Sequence, residues 1–377
     1  MKRYISEFIQ KDLSSKFVIL SGPRQSGKTT LSKNLSLTSE YINYDLKEHR
    51  KILLEKSWDR KNKIIIFDEI HKMKNWKSFL KGIYDTEGIN PGILVTGSAR
   101  LDTYRKSGDS LAGRYFAYRL HPLDIKELYK FSNEKDENKI LEKLLTVGGF
   151  PEPYLNGKIE YYRRWKKTHQ DIIIRQDLLD LEKVRDISSI ETLIELMRER
   201  VGSSISYTSL SEDLQYSSKT IKHWLQILEN LYVIFKIKPY HKNIARALLK
   251  EPKYYFFDTG QVSGDEGVKL ENVVACAILK ELHYMEDVKG TSTNLYYLRS
   301  KEKKEIDFLI EIDKKITTLI EVKLSETNLS PNFRAFSRYF PQAKKIQLVK
   351  NLDREKTFPD GCEIRYVAKW LKTMKFF

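Results

Sequence analysis

The chain has 377 residues, 41% of them hydrophobic, with 67 Lys and Arg against 51 Asp and Glu, a formal charge of +16. That length calls for two or three domains, which the apolar content is enough to build, and the basic balance suits either a polyanionic partner or solubility alone. The two cysteines, Cys276 and Cys362, are too few for a disulfide framework, and no apolar run approaches the roughly 18 residues of a membrane helix, so a cytoplasmic protein without membrane contact is expected.

Residues 1–15 read as a short amphipathic helix with Tyr4, Ile5, Phe8, Ile9 and Leu13 on one side. The apolar strand Phe17–Leu20 follows. Gly22, Gly27, Lys28 and Thr29 then match the spacing G-x-x-x-x-G-K-[ST] between that strand and a helix starting near Leu31. The two glycines permit a tight loop whose backbone N–H groups point inward, and the helix start adds its positive end, so an anion is expected there. Gly22, Pro23, Arg24, Gln25, Ser26, Gly27, Lys28, Thr29 and Thr30 are the expected ATP-binding residues. Lys28 would reach the β- and γ-phosphates, and the Thr29 hydroxyl would hold Mg²⁺.

A short strand, Tyr41–Asp45, ends in an acid that either touches the ligand crevice or is a surface carboxylate. About 40 residues after Lys28 comes the run Lys63–Ile70, apolar until Asp68 and Glu69. Its lack of alternation suits a strand buried on both faces of a parallel sheet, with both acids at its carboxyl end. Asp68 is expected in the Mg²⁺ shell and Glu69 as the residue that orients or deprotonates the attacking water. A third run, Gly92–Arg100, offers Ser98 as a sensor of the γ-phosphate or the water, with Thr96 second, or a plain turn at Gly97-Ser98. Arg114 is the arginine expected to meet the terminal phosphate, in the same chain or across a subunit boundary, with a structural role as its alternative.

The strings GPRQSGKTT, YINYD, IIIFDEIHKM, LVTGSAR, LAGRYFAYRLHPLDIKEL and GGFPEPYL occur in this order. With them the chain resembles the AAA-type predicted ATPases widespread in archaea and bacteria, which usually carry an uncharacterised C-terminal domain related to PD-(D/E)xK nucleases. The resemblance spans essentially the whole chain. It implies an AAA-like fold and ATP hydrolysis, and leaves the cellular role open.

Pro151, Pro153 and Asn156-Gly157 punctuate the chain, and residues 159–200 then read as helical. Arg163, Arg164, Lys166 and Lys167 around Trp165 suit either phosphate contact with stacking or a solvated helix face with one buried Trp. Residues 206–243 have the outline of a winged helix-turn-helix: a short helix over Leu210–Leu214, a turn at Gln215–Ser218, a longer helix over Lys219–Leu231, a strand Val233–Ile237 and a basic wing through Lys242 and Asn243. Ser217, Ser218, Lys219, Thr220, Lys222 and His223 would face a DNA groove, unless the module docks protein.

In the last third, a helix over Leu270–Leu282 holds Glu271, and strands Glu305–Ile312 and Thr317–Leu324 flank a turn at Asp313–Lys315. Glu321 and Lys323 are two apart and share one strand face. An acid and an amine facing a further carboxylate, Asp307, suit two carboxylates on Mg²⁺ with a lysine orienting water. Glu271, Asp307, Glu321 and Lys323 in this order resemble the PD-(D/E)xK core, with Ile306 where the proline would stand. Asp307 and Glu321 are then the expected metal ligands.

The expected fold is α/β: an N-terminal AAA-like P-loop ATPase (1–155), a central helical and winged-helix segment (156–250) and a C-terminal α/β restriction-endonuclease-like domain (251–377). Two functions follow. One is an ATP-hydrolysing protein acting on DNA through the winged helix and nuclease-like domain. The other is a nucleotide-switched interaction module, with a protein partner or a homo-oligomer, whose nuclease-like domain is inactive.

Overall fold

The computed structural model describes residues 2–97, 111–178, 186–241, 251–300, 302–326 and 328–376. The chain forms two compact units, Met1–Pro122 with Asn230–Tyr232, and Leu123–Glu229 with Val233–Phe377.

The first unit runs α1 (Ser6–Asp12), β1 (Phe17–Ser21), α2 (Lys28–Lys33), β2 (Ser39–Asn43), α3 (Lys47–Glu55), β3 (Ile64–Asp68), α4 (Trp76–Glu87), β4 (Gly92–Thr96) and β5 (Tyr115–Arg119). Its five strands form one sheet in the order β2-β3-β4-β1-β5, parallel throughout. The continuous apolar runs explain this. Ile64, Ile65, Ile66 and Phe67 are between 0% and 5% exposed, so β3 is covered on both faces, each side chain contributing about 1.5–3 kcal/mol of burial. Because β1 lies inside the sheet and the chain next crosses to the edge strand β2, the carboxyl ends of β1, β3 and β4 open on a topological switch point, where such sheets hold ligands.

The second unit begins with α5 (Ile125–Phe131), α6 (Glu137–Val147), α7 (Pro151–Asn156), α8 (Ile159–Ile172), α9 (Ile187–Glu199), α10 (Tyr207–Leu214) and α11 (Ser218–Asn230). It continues with β6 (Ile234–Pro239), β7 (Lys253–Phe256), α12 (Glu266–Lys289), β8 (Thr293–Arg299), β9 (Glu305–Ile312), β10 (Lys315–Lys323), α13 (Pro331–Ser337), β11 (Lys344–Val349), β12 (Lys356–Thr357), β13 (Cys362–Tyr366) and α14 (Val367–Thr373). Residues 123–155, read from sequence as the end of the ATPase domain, lie in this unit. A buried ion-pair set helps to hold them there: Lys280 on α12 meets Glu127 at 2.7 Å and Asp124 at 3.2 Å.

The eight strands of the second unit form a mixed sheet, β12-β13-β11-β10-β9-β8-β6-β7. β9 and β10 are joined by a tight turn with Asp313 and Lys314 both at positive φ, the backbone that matches strand twist in a two-residue hairpin. β6, expected as the strand of a wing, pairs antiparallel with β7 and parallel with β8, and so belongs to this sheet. Lys242 and Asn243 lie outside the described residues. α10 and α11 meet through Gln215 in the left-handed region. Ile221, Trp224, Leu225, Ile227 and Leu228 of α11 are buried. Trp165 on α8 is 4% exposed and stacks on His169 at 4.4 Å, with Arg163, Arg164 and Lys167 in solvent, so the basic cluster there is a helix face over one buried Trp.

Candidate functional site

The loop after β1 is shaped by contacts that the residue types require. Gly22 has φ +146°, and a Cβ there would stand 2.4 Å from the Leu120 carbonyl oxygen, so only glycine lets the loop approach that backbone. Arg3, 5% exposed, ties down the loop's outer side: its guanidinium donates to the Ser26 carbonyl at 2.7 Å and the His121 carbonyl at 2.5 Å. The Lys28 ammonium donates to the carbonyls of Gly22 (2.9 Å) and Pro23 (2.7 Å), turned back along the loop it would share with phosphates.

Asp68 ends β3 facing this loop. The Thr96 hydroxyl donates to its Oδ1 at 2.6 Å, the Tyr41 hydroxyl donates to Oδ2, and the Thr29 hydroxyl lies 3.4 Å from Oδ2. Burial raises the Tyr41 phenol, and the hydrogen bond to Asp68 raises it further, so it stays a donor. Asn43 donates to the Tyr41 oxygen at 3.2 Å and so fixes the ring's polar end. Glu69 takes φ +56°, a conformation that costs a non-glycine residue about 1–2 kcal/mol. Its N–H donates to the Thr96 carbonyl at 3.0 Å, and its carboxylate lies 3.4 Å from His71 Nε2 and 4.0 Å from Lys72 Nζ. Held strain of this kind gathers at functional positions. Asp45 pairs with Lys72 at 2.7 Å at a half-exposed position, which accounts for it as a carboxylate that steadies the Lys72 amine.

Lys28, Thr29, Asp68, Glu69 and Thr96 therefore converge on one end of the sheet. Arg114 does not join them. It precedes Tyr115, which pairs with Phe17 at the start of β1, whereas the loop follows Ser21, paired with Arg119. Five residues of strand separate the two ends, on the order of 16 Å at about 3.3 Å per residue. There Arg114 grips Asp85 on α4 at 2.9 and 3.3 Å. Ser98 lies outside the described residues.

Residues 14–129 match a family described as an AAA domain. The N-terminal region is an AAA-type P-loop ATPase domain. Residues 138–264 and 266–367 match two domains of unknown function, DUF8612 and DUF4143. A protein of Haemophilus influenzae described as uncharacterized is 26% identical over 98% of this chain and 98% of its own length. One of Methanocaldococcus jannaschii is 26% identical over 89% of this chain and 81% of its own. A RuvB variant of Thermotoga maritima aligns at 17% identity over 61% of this chain and 89% of its own, with a TM-score of 0.31. AMPPCP-bound DnaA from Aquifex aeolicus aligns at 15% over 59% and 86%, with a TM-score of 0.32; at such scores neither likeness carries an argument. No helix among the described residues is long and apolar enough to cross a membrane.

The second unit holds a cluster of its own. The pairing of Ile320 with Phe308 makes Glu321 and Asp307 the next residues along β10 and β9. Glu321, 2% exposed, receives the Lys323 ammonium at 2.9 Å and the Asn332 amide at 3.2 Å on the same oxygen, Oε1, and its Oε2 has no hydrogen-bond partner among the described residues. Asp307 Oδ2 accepts the Val322 N–H at 2.8 Å. Burial opposes the charge on Lys323, but Glu321, Asp307 and Glu271 outweigh it and raise the ammonium.

Sequence reasoning missed the centre of this cluster. Lys253, on β7 and with a side chain 2% exposed, meets Glu305 at 2.5 Å, Glu271 at 3.4 Å and Asp307 at 4.0 Å. Burial alone would lower its ammonium, and these carboxylates reverse the direction. Loss of solvent around the mostly enclosed Glu271, and then the neighbouring Asp307, push its carboxyl up to about 7, although Lys253 and the Tyr255 hydroxyl pull the other way. Gly202 gives it room, since a Cβ there would stand 3.0 Å from Glu271 Oε1.

Proposed function

We propose that the protein binds and hydrolyses ATP at Gly22–Thr30 and uses the cycle to act on DNA through the exposed side of α11. The observation that carries the first half is the meeting of Thr29, Asp68 and Thr96 at the loop, with Glu69 strained beside them. The Thr29 hydroxyl and the Asp68 carboxylate are hard oxygen donors of the kind Mg²⁺ takes, and their convergence fits the ion that accompanies ATP. They would hold that ion, which when bound neutralises charge on the phosphates. Lys28 would leave the carbonyls of Gly22 and Pro23 for the β- and γ-phosphates. Glu69 would align the attacking water and take its proton, and Thr96 would hold the Asp68 carboxylate in one rotamer. Arg3, on the far side of the loop, would keep the loop's N–H groups pointing inward.

The DNA half rests on α11 and the turn before it. Its apolar residues are spent inside the unit, while Ser217, Ser218, Lys219, Lys222 and His223 are exposed at its amino-terminal end, the arrangement a recognition helix needs. The overall charge of +16 points the same way. The test is the affinity of the full chain for duplex DNA across a salt series. Affinity should fall steeply with salt, and Lys219→Glu with Lys222→Glu should weaken it and flatten the log–log slope by about 2. Equal binding by this variant, or none by wild type at low salt, would remove DNA from the account and leave a nucleotide-switched docking module.

A further inference from the structure

The resemblance noted from sequence calls for a divalent metal between Asp307 and Glu321, and the side chains there do not fit one. Among the described residues no group of three or more His, Cys, Asp or Glu side chains is arranged to hold a metal ion. The reason is visible in the contacts. Asp307 spends Oδ2 on the Val322 N–H and turns Oδ1 toward the Lys253 ammonium. Glu321 spends Oε1 on Lys323 and Asn332, and Glu271 accepts from Tyr255 at 2.6 Å as well as facing Lys253. The Tyr255 hydroxyl and the Lys253 ammonium both meet Oε1 of Glu271, and Glu321 Oε2 is buried without a hydrogen-bond partner among the described residues. Mg²⁺ demands near-ideal octahedral geometry around one or two carboxylates, and here the carboxylates of Glu271, Glu305 and Asp307 are turned on an ammonium instead.

We propose that Lys253 is the resident cation of the C-terminal domain: its ammonium takes the place among Glu271, Glu305 and Asp307 that a divalent metal would need, so the domain keeps a nuclease-like constellation without metal-dependent cleavage of DNA. Geometry supports this on two counts. Lys253 is on β7, Glu271 on α12, and Glu305 and Asp307 on β9, so one buried amine joins three elements, a structural task that a bound metal performs elsewhere. The amine is also locked in place. With a side chain 2% exposed and carboxylates on several sides, it is held where it stands by its ion pairs, and a metal entering beside it would meet a fixed positive charge. Lys323, still paired with Glu321, is then a partner that neutralises a buried acid. This inference does not depend on the ATPase reading.

The test is a titration of the nucleotide-free full chain with Mn²⁺, read by electron paramagnetic resonance and by thermal unfolding. Wild type, Glu271→Gln and Asp307→Asn should give superimposable Mn²⁺ isotherms, and Mn²⁺ should leave their melting temperatures unmoved. Lys253→Met keeps the length of the side chain and removes its charge. It should melt lower than wild type, gain a Mn²⁺ site at least tenfold tighter than any in wild type, and recover melting temperature on Mn²⁺ addition, with both gains lost in Lys253→Met/Asp307→Asn. A wild-type site removed by Glu271→Gln or Asp307→Asn would overturn the proposal, as would Mn²⁺-dependent DNA cleavage by wild type that Glu321→Ala abolishes. So would a folded Lys253→Met whose isotherm equals that of wild type. Should Lys253→Met fail to fold, the wild-type isotherm and cleavage assay decide alone. ATP turnover, read on the same samples, should be unchanged in Lys253→Met, which separates failure here from failure of the ATPase reading.

Discussion

At the scale of single residues, the Asp68 carboxylate shows how a site is built from borrowed groups. Its position follows from a motif, but its orientation comes from Tyr41 on β2 and Thr96 on β4, hydroxyls 27 and 28 residues away in sequence. Hydrogen bonds to a charged group in a buried place are worth about 1.5–3 kcal/mol each. Thr96→Val, which keeps the shape and removes the donor, should therefore destabilise the AAA domain by about 2 kcal/mol and lower ATP turnover about tenfold or more, measured by denaturant unfolding and steady-state hydrolysis. Unchanged turnover with lowered stability would make Thr96 structural only. Lys28, Thr29, Asp68 and Glu69 were legible because they sit at fixed offsets within local strings. Tyr41, Arg3 and Lys253 were not, because each acts through partners far off in the chain and none belongs to a local pattern. Lys253 in particular reads as an ordinary charged residue at a strand start until β9 and α12 are folded against it.

At the scale of elements, uninterrupted apolar runs located β1, β3 and β4, and two apolar-rich runs flanking a charged turn located β9 and β10 within one or two residues. The loop between β1 and α2 was equally readable, since its glycines are demanded by backbone. Gly22→Ala should show this directly. The added methyl meets the Leu120 carbonyl oxygen at 2.4 Å in a backbone with φ +146°, so a loss of several kcal/mol of stability, about 2–4, is expected together with loss of nucleotide binding, monitored by calorimetry. Near-normal stability would mean that the loop has another arrangement. The role of β6 was not readable. A basic strand after a helix-turn-helix has the local signature of a wing, whereas its pairing with β8 is set by residues almost 60 positions later, Tyr296 and Tyr297. Arg114 illustrates the same limit: its neighbourhood in sequence resembles a finger, but the parallel register of β5 on β1 delivers it to the amino ends of the sheet.

At the scale of the whole molecule, the AAA domain supplies a nucleotide site and the second unit supplies two surfaces of different chemistry. One is the exposed, basic start of α11. The other is a cluster in which the buried Lys253 and the partly exposed Lys323 face carboxylates. The two units divide at Pro122–Leu123, upstream of Pro151 and Pro153, which punctuate the chain as a linker would and in the structure open α7. The ion pairs of Lys280 with Asp124 and Glu127 bridge more than 150 residues, a separation at which composition gives no hint. The central claim is that residues 22–30 with Asp68 and Glu69 form a working ATPase site, and the most direct measurement is ATP binding and turnover by wild type and Glu69→Gln under one set of conditions. The account predicts that Glu69→Gln binds ATP as tightly as wild type and hydrolyses it at least a hundredfold more slowly, within the range expected for loss of a general base. Hydrolysis by Glu69→Gln at the wild-type rate, or no turnover by wild type with Mg²⁺ present, would contradict it.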